Sequence, residues 1–351
     1  MRAVVLTGHG GPETLNVERA WPVPEPGPDE VLVAVSACAV NATDVNTRTG
    51  WYGTGEAGGG WDAPIAFPRI QGADICGRVV ACGDSAPKEL LSERVLVDPW
   101  VRDPGHPDDL SRCGYLGSER DGGYAEYVTV PARNVHPVRS SLSDVELASF
   151  ATSAGTAENM LRRADVQPGE TVLVTGASGG VGTALVQLVH RRRALPLAVC
   201  APEKAERVRA LGPEAVLSRD DDLATQLRAV GLETVDVIAD VVGGASWPRL
   251  IGLLRRGGRY TIAGAIGGPL VELDLRTVYL ADLTLSGATV TPPGLFGDLV
   301  GYIERGEISP CVAATYPLEQ AREAQKAFTD KRHVGKIVLR VPVERGWAAR
   351  A

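Results

Sequence analysis

A glycine-rich segment follows a short β-branched run near the middle of the chain. Residues 171–175 are typical of a strand, and a helical pattern begins within the segment that comes after them. Glycines at such a junction allow a tight turn and let backbone N–H groups approach a pyrophosphate, which lies at the positive end of the helix. The pattern therefore predicts a dinucleotide-binding turn. Its residues are Gly176, Ala177, Ser178, Gly179, Gly180, Val181 and Gly182.

The end of the next predicted strand, residues 197–200, bears on which dinucleotide binds. Enzymes that use NAD place an Asp or Glu there, which binds the ribose 2′-hydroxyl. Here the chain continues Ala201-Pro202 without an acid, and Lys204 and Arg207 follow, where cations could contact a 2′-phosphate. We therefore expect NADPH, with Lys204 as a contact. The alternative is a solvated helix start in which Lys204 pairs with a neighbouring Glu.

Two further loops come after the predicted strands 235–241 and 259–263. Ligands of parallel sheets bind beyond the carboxyl ends of the strands, so we expect these loops to contact the ribose and the nicotinamide. The predicted contact residues are Asp240, Val241 and Val242 in the first loop, and Ala263, Gly264 and Ala265 in the second.

The order of predicted elements indicates two kinds of domain. Short strands separated by turns, such as residues 31–35 and 94–97, are typical of a compact β domain. A capping box of Ser143 and Glu146 then opens a region in which strands and helices alternate, which indicates βαβ units and a parallel sheet. A C-terminal strand, residues 335–339, is expected to rejoin the β domain.

Length and composition limit the classes of function. The 351 residues suit two domains, and 44% hydrophobic with 23% charged residues is typical of globular proteins. A formal net charge of −7 argues against nucleic-acid and anionic-membrane partners. The longest apolar run, residues 31–40, is about half of a membrane span. The start lacks the apolar core of a signal peptide, and the six cysteines are scattered. We expect a cytoplasmic protein without disulfides.

Five landmarks, in order along the chain, carry a family resemblance. They are the opening 1–35 with Gly-Pro-Glu at 11–13, Gly-Ala-Asp-Ile-Cys-Gly at 72–77, Asp-Gly-Gly-Tyr-Ala-Glu-Tyr at 121–127, the glycine-rich turn, and Gly335-Lys336 in the last strand. With them the chain resembles the medium-chain dehydrogenase/reductase superfamily over nearly its full length. The resemblance implies an α/β fold. A GroES-like β domain, residues 1–134 and 295–351, is split by an inserted Rossmann domain, residues 135–294, with a doubly wound parallel sheet. It places the active site in the cleft between the two.

Two positions bear on metal binding. The zinc alcohol dehydrogenases of this superfamily have a Cys ligand where this chain has Asn41, and a His ligand where it has Ala73. Catalytic zinc needs three protein ligands of Cys, His or carboxylate type. Cys38 lies three residues away, which is up to about a nanometre of chain. Residues 99–117 hold one cysteine where the structural zinc lobe of the family uses four. We therefore expect no metal, and a place in the zinc-free quinone oxidoreductase-like branch.

Hydride transfer without a metal favours a conjugated acceptor, because the charge spreads onto a carbonyl oxygen that hydrogen bonds can hold. The resemblance implies NADPH-dependent reduction of a quinone or an α,β-unsaturated carbonyl. Asn41, Asp44 and Tyr52 are the catalytic candidates, since the quinone reductase branch has Asn, Asp and Tyr in the matching motif. Asn41 would orient the carbonyl, and Tyr52 would hydrogen-bond the enolate or supply its proton. The alternatives are turn capping for Asn41 and Asp44 and cleft lining for Tyr52.

Three features allow more than one interpretation. Thr156 lies beside the nicotinamide by resemblance, or it caps a helix over residues 157–164. The Gly-rich segment 50–66, with Trp51 and Trp61, is an aromatic flap over the cleft or a disordered insertion. The activity is alternatively that of a zinc-independent carbonyl reductase or alcohol dehydrogenase, or the chain is a non-catalytic NADPH-binding regulatory protein.

The last predicted strand of the parallel sheet, residues 283–290, bears on assembly. The chain carries no charge between Asp282 and Asp298. An open sheet edge without Lys, Pro or a bulge invites pairing with another chain. We therefore expect a homodimer in which these strands pair antiparallel around a twofold axis, and the resemblance implies the same. The alternative is that residues 292–296 cover the edge.

Overall fold

The computed structural model describes residues 1–53 and 65–342. Its contacts divide the chain into two compact units. The first, called the β unit below, comprises Met1–Thr152 and Val312–Ala351. The second, called the sheet unit, comprises Ser153–Cys311.

The described residues form short strands and helices, numbered here in chain order. The strands are β1 (Ala3–Leu6), β2 (Leu15–Glu18), β3 (Glu30–Ala39), β4 (Arg69–Ile70), β5 (Asp74–Cys82), β6 (Arg94–Val97), β7 (Trp100–Val101), β8 (Gly114–Tyr115), β9 (Tyr127–Pro131), β10 (Val135–Pro137), β11 (Thr171–Val174), β12 (Leu195–Cys200), β13 (Ala215–Ser218), β14 (Val235–Asp240), β15 (Leu254–Ile262), β16 (Thr284–Gly287), β17 (Val312–Pro317) and β18 (Lys336–Arg340). The α-helices are α1 (Ala42–Thr49), α2 (Asp144–Leu147), α3 (Ala151–Arg163), α4 (Gly180–Arg191), α5 (Ala205–Arg209), α6 (Leu223–Ala229), α7 (Trp247–Ile251), α8 (Leu275–Leu280), α9 (Leu295–Glu304) and α10 (Ala321–Thr329). Within the described ranges, no helix combines the length and the apolar character that a membrane span requires.

The β unit is organised around β3. Its main sheet has the order β10-β6-β5-β3-β18-β17, with β9 also paired to β3, and β1 forms a smaller sheet with β2 and β4. Strand β18, from the far end of the chain, rejoins the β unit as the sequence predicts, and it pairs antiparallel with β3. Val33 and Val35 of β3 share one hydrophobic cluster with Ile337 and Leu339 of β18. Burial of this apolar surface holds the C-terminal strand in the β unit.

Three chain segments meet at one end of β3. Ala39, at that end, is the register partner of Asp74 at the start of β5 and of Val338 in β18. The chain then leaves β3 through Val40 and Asn41 and enters α1. The first turn of α1 therefore lies beside the starts of β5 and β18, and this is where the β unit brings polar side chains together.

The sheet unit contains six parallel strands in the order β13-β12-β11-β14-β15-β16. The winding reverses direction between β11 and β14, and ligands of such sheets bind at the carboxyl ends of the strands near that point. The glycine-rich turn follows β11, so it lies at that edge. The predicted parallel sheet is confirmed.

Two predicted elements have different bounds in the structure. The sequence pattern favours a helix over residues 247–255, but α7 ends at Ile251. Leu254 is a register partner of Val235 in β14, so the chain from Leu254 onward belongs to β15. The last strand, predicted over residues 283–290, is shorter, because β15 offers β16 partners only from Arg259 to Ile262.

The units divide later in the chain than the predicted boundaries after residues 134 and 294. On the N-terminal side, β10 pairs with β6, and the Arg94 guanidinium donates to Asp144 at 2.6 Å. These contacts keep the chain as far as Thr152 with the β unit. On the C-terminal side, Arg162 of α3 donates to Asp298 of α9 at 2.6 Å, which attaches α9 to the sheet unit.

Candidate functional site

The carboxylate of Asp44 is enclosed by hydrogen-bond donors of the β unit. Its Oδ2 accepts from the backbone N–H of Asn41 at 2.7 Å and from the Tyr124 hydroxyl at 3.1 Å. Its Oδ1 accepts from the Gly72 N–H at 3.2 Å. Burial raises the pKa of Asp44 to about 7, although the bond from Asn41 opposes that shift. These contacts match the turn-capping alternative for Asp44, which fixes the start of α1.

A buried ion pair lies beside this turn. The ammonium of Lys336 donates to Asp74 Oδ2 at 2.8 Å and to Asn41 Oδ1. The other oxygen of Asp74 accepts from the backbone N–H of Thr152 at 2.6 Å. Asn41, Asp74 and Lys336 are all buried. An uncompensated charge at such a place is strongly destabilising, so the ammonium and the carboxylate require each other.

These side chains do not fit a zinc ion. Ala73 carries no donor atom, and Asn41 already presents its oxygen to the Lys336 ammonium. A Zn²⁺ beside that ammonium would meet a like charge at a buried place, where repulsion is weakly screened. Burial raises the pKa of the Cys38 thiol, which disfavours the thiolate that zinc binds. Over residues 1–53 and 65–342, no group of three or more His, Cys, Asp or Glu side chains could hold a metal ion.

Two tyrosines lie in the same neighbourhood. The Tyr115 hydroxyl is 2.8 Å from the Thr152 hydroxyl, and burial raises the pKa of Tyr115, with a smaller effect from Asp74 and a still smaller one from Tyr52. Tyr52 is half-buried in a short 3₁₀ turn, Trp51–Gly53, and its hydroxyl accepts from the Asn46 amide at 3.4 Å. The Tyr115 phenol therefore lies next to Thr152, whose backbone N–H binds the buried Asp74.

Most of the predicted aromatic flap, residues 54–64 with Trp61, lies outside the described residues. At its start, the rings of Trp51 and Tyr52 pack edge to face with their centroids 5.4 Å apart. Trp51 is 40% exposed, so this pair presents apolar surface to solvent.

The glycine-rich turn of the sheet unit joins β11 to α4 as predicted. Gly176 has a φ of +57°, where side chains are disfavoured. A Cβ on Gly182 would lie 2.3 Å from the Gly176 carbonyl oxygen, so the helix packs directly against the turn. Ala177 and Gly182 are buried by this packing. The half-exposed members are Gly176, Ser178, Gly179, Gly180 and Val181.

The carboxylate of Asp240 organises the loop after β14. It accepts from the Thr175 hydroxyl at 2.5 Å, from the Tyr260 hydroxyl at 2.6 Å and from the Val242 N–H at 2.8 Å. Asp240 has no exposed surface. It therefore shapes the loop through these bonds, and the residues after it form the accessible part.

The loop after β15 lies against the loop after β14. A Cβ on Gly264 would lie 2.8 Å from the Val241 carbonyl oxygen, and the Ala263 N–H donates to the Asp240 carbonyl oxygen at 3.1 Å. The two loops form one surface at the carboxyl ends of β14 and β15. Its half-exposed members are Val241, Val242, Ala263, Gly264 and Ala265.

Positive charges gather at the carboxyl end of β12. Arg219 directly follows β13, and its backbone N–H donates to the Cys200 carbonyl oxygen at 2.9 Å. Burial lowers the pKa of the Lys204 ammonium, Glu203 opposes that shift, and the charge of Arg219 adds to it. Arg219 is exposed. The Arg219 guanidinium also lies 3.5 Å from the carboxylate of Asp220. Lys204 and Arg219 therefore both lie near the carboxyl end of β12, together with the acidic side chains of Glu203 and Asp220.

Thr156 does not cap a helix. Helix α3 begins at Ala151, so Thr156 lies in its second turn, with a half-exposed side chain. The N-cap alternative is wrong because the preceding residues, Ala151 to Gly155, already have the helical conformation.

The sequence predicts Asn41, Asp44 and Tyr52 as site residues, but it does not predict their hydrogen-bond and ion-pair partners. Lys336 offered a signal, because a lysine at the head of the apolar run Ile337-Val338-Leu339 needs a carboxylate partner if it is buried. The sequence signal for Arg219 is weaker: it directly follows β13, the strand that pairs with β12. The site residues that the structure adds are Asp74, Tyr115, Tyr124, Thr152, Arg219 and Lys336.

Two family models match the chain. The alcohol dehydrogenase GroES-like domain matches residues 27–140, and the zinc-binding dehydrogenase domain matches residues 211–339. The first match confirms that the β unit is a GroES-like domain. The second lies mostly in the sheet unit and ends inside β18.

Full-length relatives extend this result. The chain is 28% identical to a quinone oxidoreductase of Lama guanicoe, over 97% of each sequence. It is 29% identical to an NAD-dependent alcohol dehydrogenase of Saccharolobus solfataricus, over 97% of this chain and 99% of the relative. A solved structure from Sinorhizobium meliloti 1021, provisionally named an alcohol dehydrogenase, has 45% identity and a TM-score of 0.92 over 97% of each chain. The chain therefore belongs to the medium-chain dehydrogenase/reductase superfamily, and it is an oxidoreductase for which a nicotinamide dinucleotide is the expected cofactor.

Proposed function

We propose that the protein reduces a quinone or an α,β-unsaturated carbonyl with NADPH and without a metal ion. The observation that carries this proposal is the place of the Lys336 ammonium, bound to Asn41 and Asp74. By family resemblance, Asn41 and Ala73 stand where zinc dehydrogenases have metal ligands. Hydrogen bonds, and not a Lewis acid, are then left to hold the carbonyl oxygen of the acceptor.

The available donors favour a conjugated acceptor. Hydride addition at the β-carbon of an enone gives an enolate, in which the negative charge is spread over oxygen and carbon, whereas reduction of a saturated ketone concentrates the charge on one alkoxide oxygen. The Asn41 amide donates to that oxygen, and the Tyr52 hydroxyl or water supplies the proton that completes the reduced product. Asp44 acts as a positioning residue, since its oxygens are already bound within the β unit.

The sheet unit offers the surface that a nicotinamide dinucleotide requires, and this cofactor supplies the hydride when it is bound. The half-exposed residues of the turn 176–182 would hold the pyrophosphate at the start of α4. The loops after β14 and β15 would contact the ribose and the nicotinamide. Thr156, half-exposed in α3, would lie beside the nicotinamide.

The choice of NADPH over NADH rests on charge at the end of β12. A ribose 2′-phosphate carries about two negative charges, and Lys204 and Arg219 both lie near the carboxyl end of β12. Arg207 follows in α5 and is exposed. Ala201 and Pro202 provide no carboxylate to bind a free 2′-hydroxyl or to repel the phosphate.

We also propose that the protein is a homodimer joined through β16. Among the described strands, β16 has β15 as its one neighbour, so its outer edge is open. The helix just before it exposes apolar side chains, with Leu275 70%, Tyr279 62% and Leu280 58% exposed. A second copy of the chain would cover this surface and pair the open edge.

A second candidate activity is that of a zinc-independent carbonyl reductase or alcohol dehydrogenase. It is favoured by the alcohol dehydrogenase names of two similar proteins, one of them 45% identical. The two candidates differ in the acceptor, so a matched pair of substrates separates them.

Steady-state oxidation of NADPH by the full-length protein is the test. We expect turnover of 2-cyclohexenone, and a kcat/KM at least about tenfold lower for cyclohexanone, its saturated counterpart. A kcat/KM for cyclohexanone equal to or above that for the enone would favour the carbonyl reductase. Binding of NADPH without turnover of any quinone, enone or ketone would favour a regulatory protein.

A further inference from the structure

The contact between Lys336 and Asn41 fixes the orientation of a side-chain amide. An ammonium group has three N–H donors and no acceptor. Asn41 must therefore turn its carbonyl oxygen toward Lys336, as the structure shows, and its NH₂ group away from it. Within the described residues, that NH₂ group has one acceptor, the Ala39 carbonyl oxygen at 3.4 Å. This long bond leaves the donor capacity of Asn41 mostly unused.

The charge of Lys336 is held in place by a chain of contacts. Asp74, with no exposed surface, accepts from the ammonium through Oδ2 and from the Thr152 N–H through Oδ1. Lys336 itself is 4% exposed. Its ammonium is therefore neutralised on one side by Asp74 and donates to Asn41 on the other. A cation that binds the amide oxygen also polarises the amide, which makes its N–H groups stronger donors.

We propose that Lys336 is a positioning residue, which sets and strengthens Asn41 as the hydrogen-bond donor to the carbonyl oxygen of the acceptor. The inference rests on the proposed function, because it concerns the same acceptor. Lys336 acts through Asn41, and Asp74 keeps Lys336 in place. The pair is neutral as a whole, but its ammonium end contacts the amide oxygen of Asn41.

The kinetics of three variants test whether Lys336 acts through Asn41. Lys336→Met removes the charge, Lys336→Arg keeps it, and Asn41→Asp keeps an acceptor for Lys336 but has no donor. We expect kcat with 2-cyclohexenone to fall by about 10- to 100-fold in Lys336→Met and Asn41→Asp. We expect partial rescue in Lys336→Arg, and an unchanged Kd for NADPH in all three. Lys326→Met, which alters an exposed lysine of α10, is the matched control and should behave as the unmodified protein.

The double variant Asn41→Asp/Lys336→Met separates a positioning role from an independent one. If Lys336 acts through Asn41, the double variant should be no slower than Asn41→Asp alone, because residues that act as one unit are not additive. The proposal would be overturned if the loss of kcat in the double variant equalled the product of the losses in the two single variants. A kcat in Lys336→Met equal to that of Lys326→Met would also overturn it. Where Lys336→Met does not fold, Asp74→Asn/Lys336→Met removes both charges and takes its place in the comparison.

A measurement without turnover keeps this inference distinct from the proposed function. In protein labelled with ¹⁵N-asparagine, the side-chain NH₂ signal of Asn41 is identified by its loss in Asn41→Asp. We expect this signal to shift in Lys336→Met and to remain in place in Lys326→Met. An unchanged signal in Lys336→Met would overturn the positioning role. Absence of enone reduction by the unmodified protein would instead overturn the proposed function.

Discussion

The Asp74 carboxylate lies 2.8 Å from the Lys336 ammonium, although 262 residues separate the two in the chain. Both are buried, and both begin strands that flank β3. The pair therefore joins the C-terminal segment to the N-terminal part of the β unit at the place where Asn41 starts α1.

This burial predicts a large cost for removing one partner. Lys336→Met should lower the free energy of unfolding by about 3–5 kcal/mol, because Asp74 is left as an uncompensated buried charge. Asp74→Asn/Lys336→Met should recover part of the loss. Urea unfolding followed by circular dichroism measures both. The control is Arg256→Met, which breaks an ion pair to Asp282 in which both side chains are at least 70% exposed. A cost for Lys336→Met no larger than that of the control would contradict the buried pair.

The raised pKa of Asp44 predicts a pH-dependent stability. The folded protein binds this proton more tightly than the unfolded chain, since burial raises the pKa from 3.8 to about 7. The associated stability is present below about pH 4 and is lost as the pH rises to about 7. The unfolding free energy of the unmodified protein, minus that of Asp44→Asn, should therefore fall by roughly 4 kcal/mol over this range.

Asp98 provides the matched control for that titration. Burial raises its pKa to about 6. The unfolding free energy of the unmodified protein, minus that of Asp98→Asn, should therefore fall less with rising pH and level off about one pH unit earlier. Urea unfolding at intervals from pH 4 to pH 8 gives both curves. A flat or rising difference for Asp44→Asn would show that the Asp44 pKa is not raised.

Cofactor preference is predicted from the cations at β12. NADPH should bind at least about tenfold more tightly than NADH, which is about 1.4 kcal/mol. Arg219→Ala and Lys204→Ala should each shrink that ratio, with little change in the Kd for NADH, because NADH has no phosphate for these side chains to contact. Arg256→Ala, at the opposite end of the sheet near the start of β15, should leave the ratio unchanged. Calorimetric titration with both dinucleotides decides, and a preference for NADH would refute this assignment.

The open edge of β16 predicts the assembly. Light scattering of the purified protein at micromolar concentration should give about two chain masses, near twice 37.0 kDa. The Ala288 N–H donates to Ile262 of β15, so the N–H of the preceding Gly287 faces the open edge. Gly287→Pro should therefore shift the mass toward one chain, because proline cannot donate a hydrogen bond across a paired edge. A single chain mass for the unmodified protein would rule out the proposed dimer at that concentration.

Local patterns in the sequence predict the sheet unit well. The glycine-rich turn, the strand before it and the helix after it lie within about twenty consecutive residues, and the packing of Gly182 against Gly176 shows why those glycines occur. The end of α7 was harder to predict. Leu254 and Arg255 continue a helical pattern, but pairing with β14 draws Leu254 into β15.

The candidate site in the β unit was predicted less completely, because its contacts are distant in the chain. Asn41 and Asp44 stand out as a local motif, and the capping contact between them follows from their spacing. The partnership of Lys336 with Asp74 depends on β5 and β18 both pairing with β3, which periodicity alone does not reveal. Arg219 lies near the carboxyl end of β12 for the same reason, since β13 pairs with β12.

Metal content measured together with activity tests the central claim most directly. The purified protein is analysed for zinc, dialysed against a chelator, and assayed for NADPH oxidation with 2-cyclohexenone before and after dialysis. The proposed function predicts less than about 0.1 zinc per chain and an unchanged kcat, because Ala73 and the Lys336-bound Asn41 offer zinc no ligand set. Roughly one zinc per chain, lost on dialysis together with the activity and restored with it, would contradict the account.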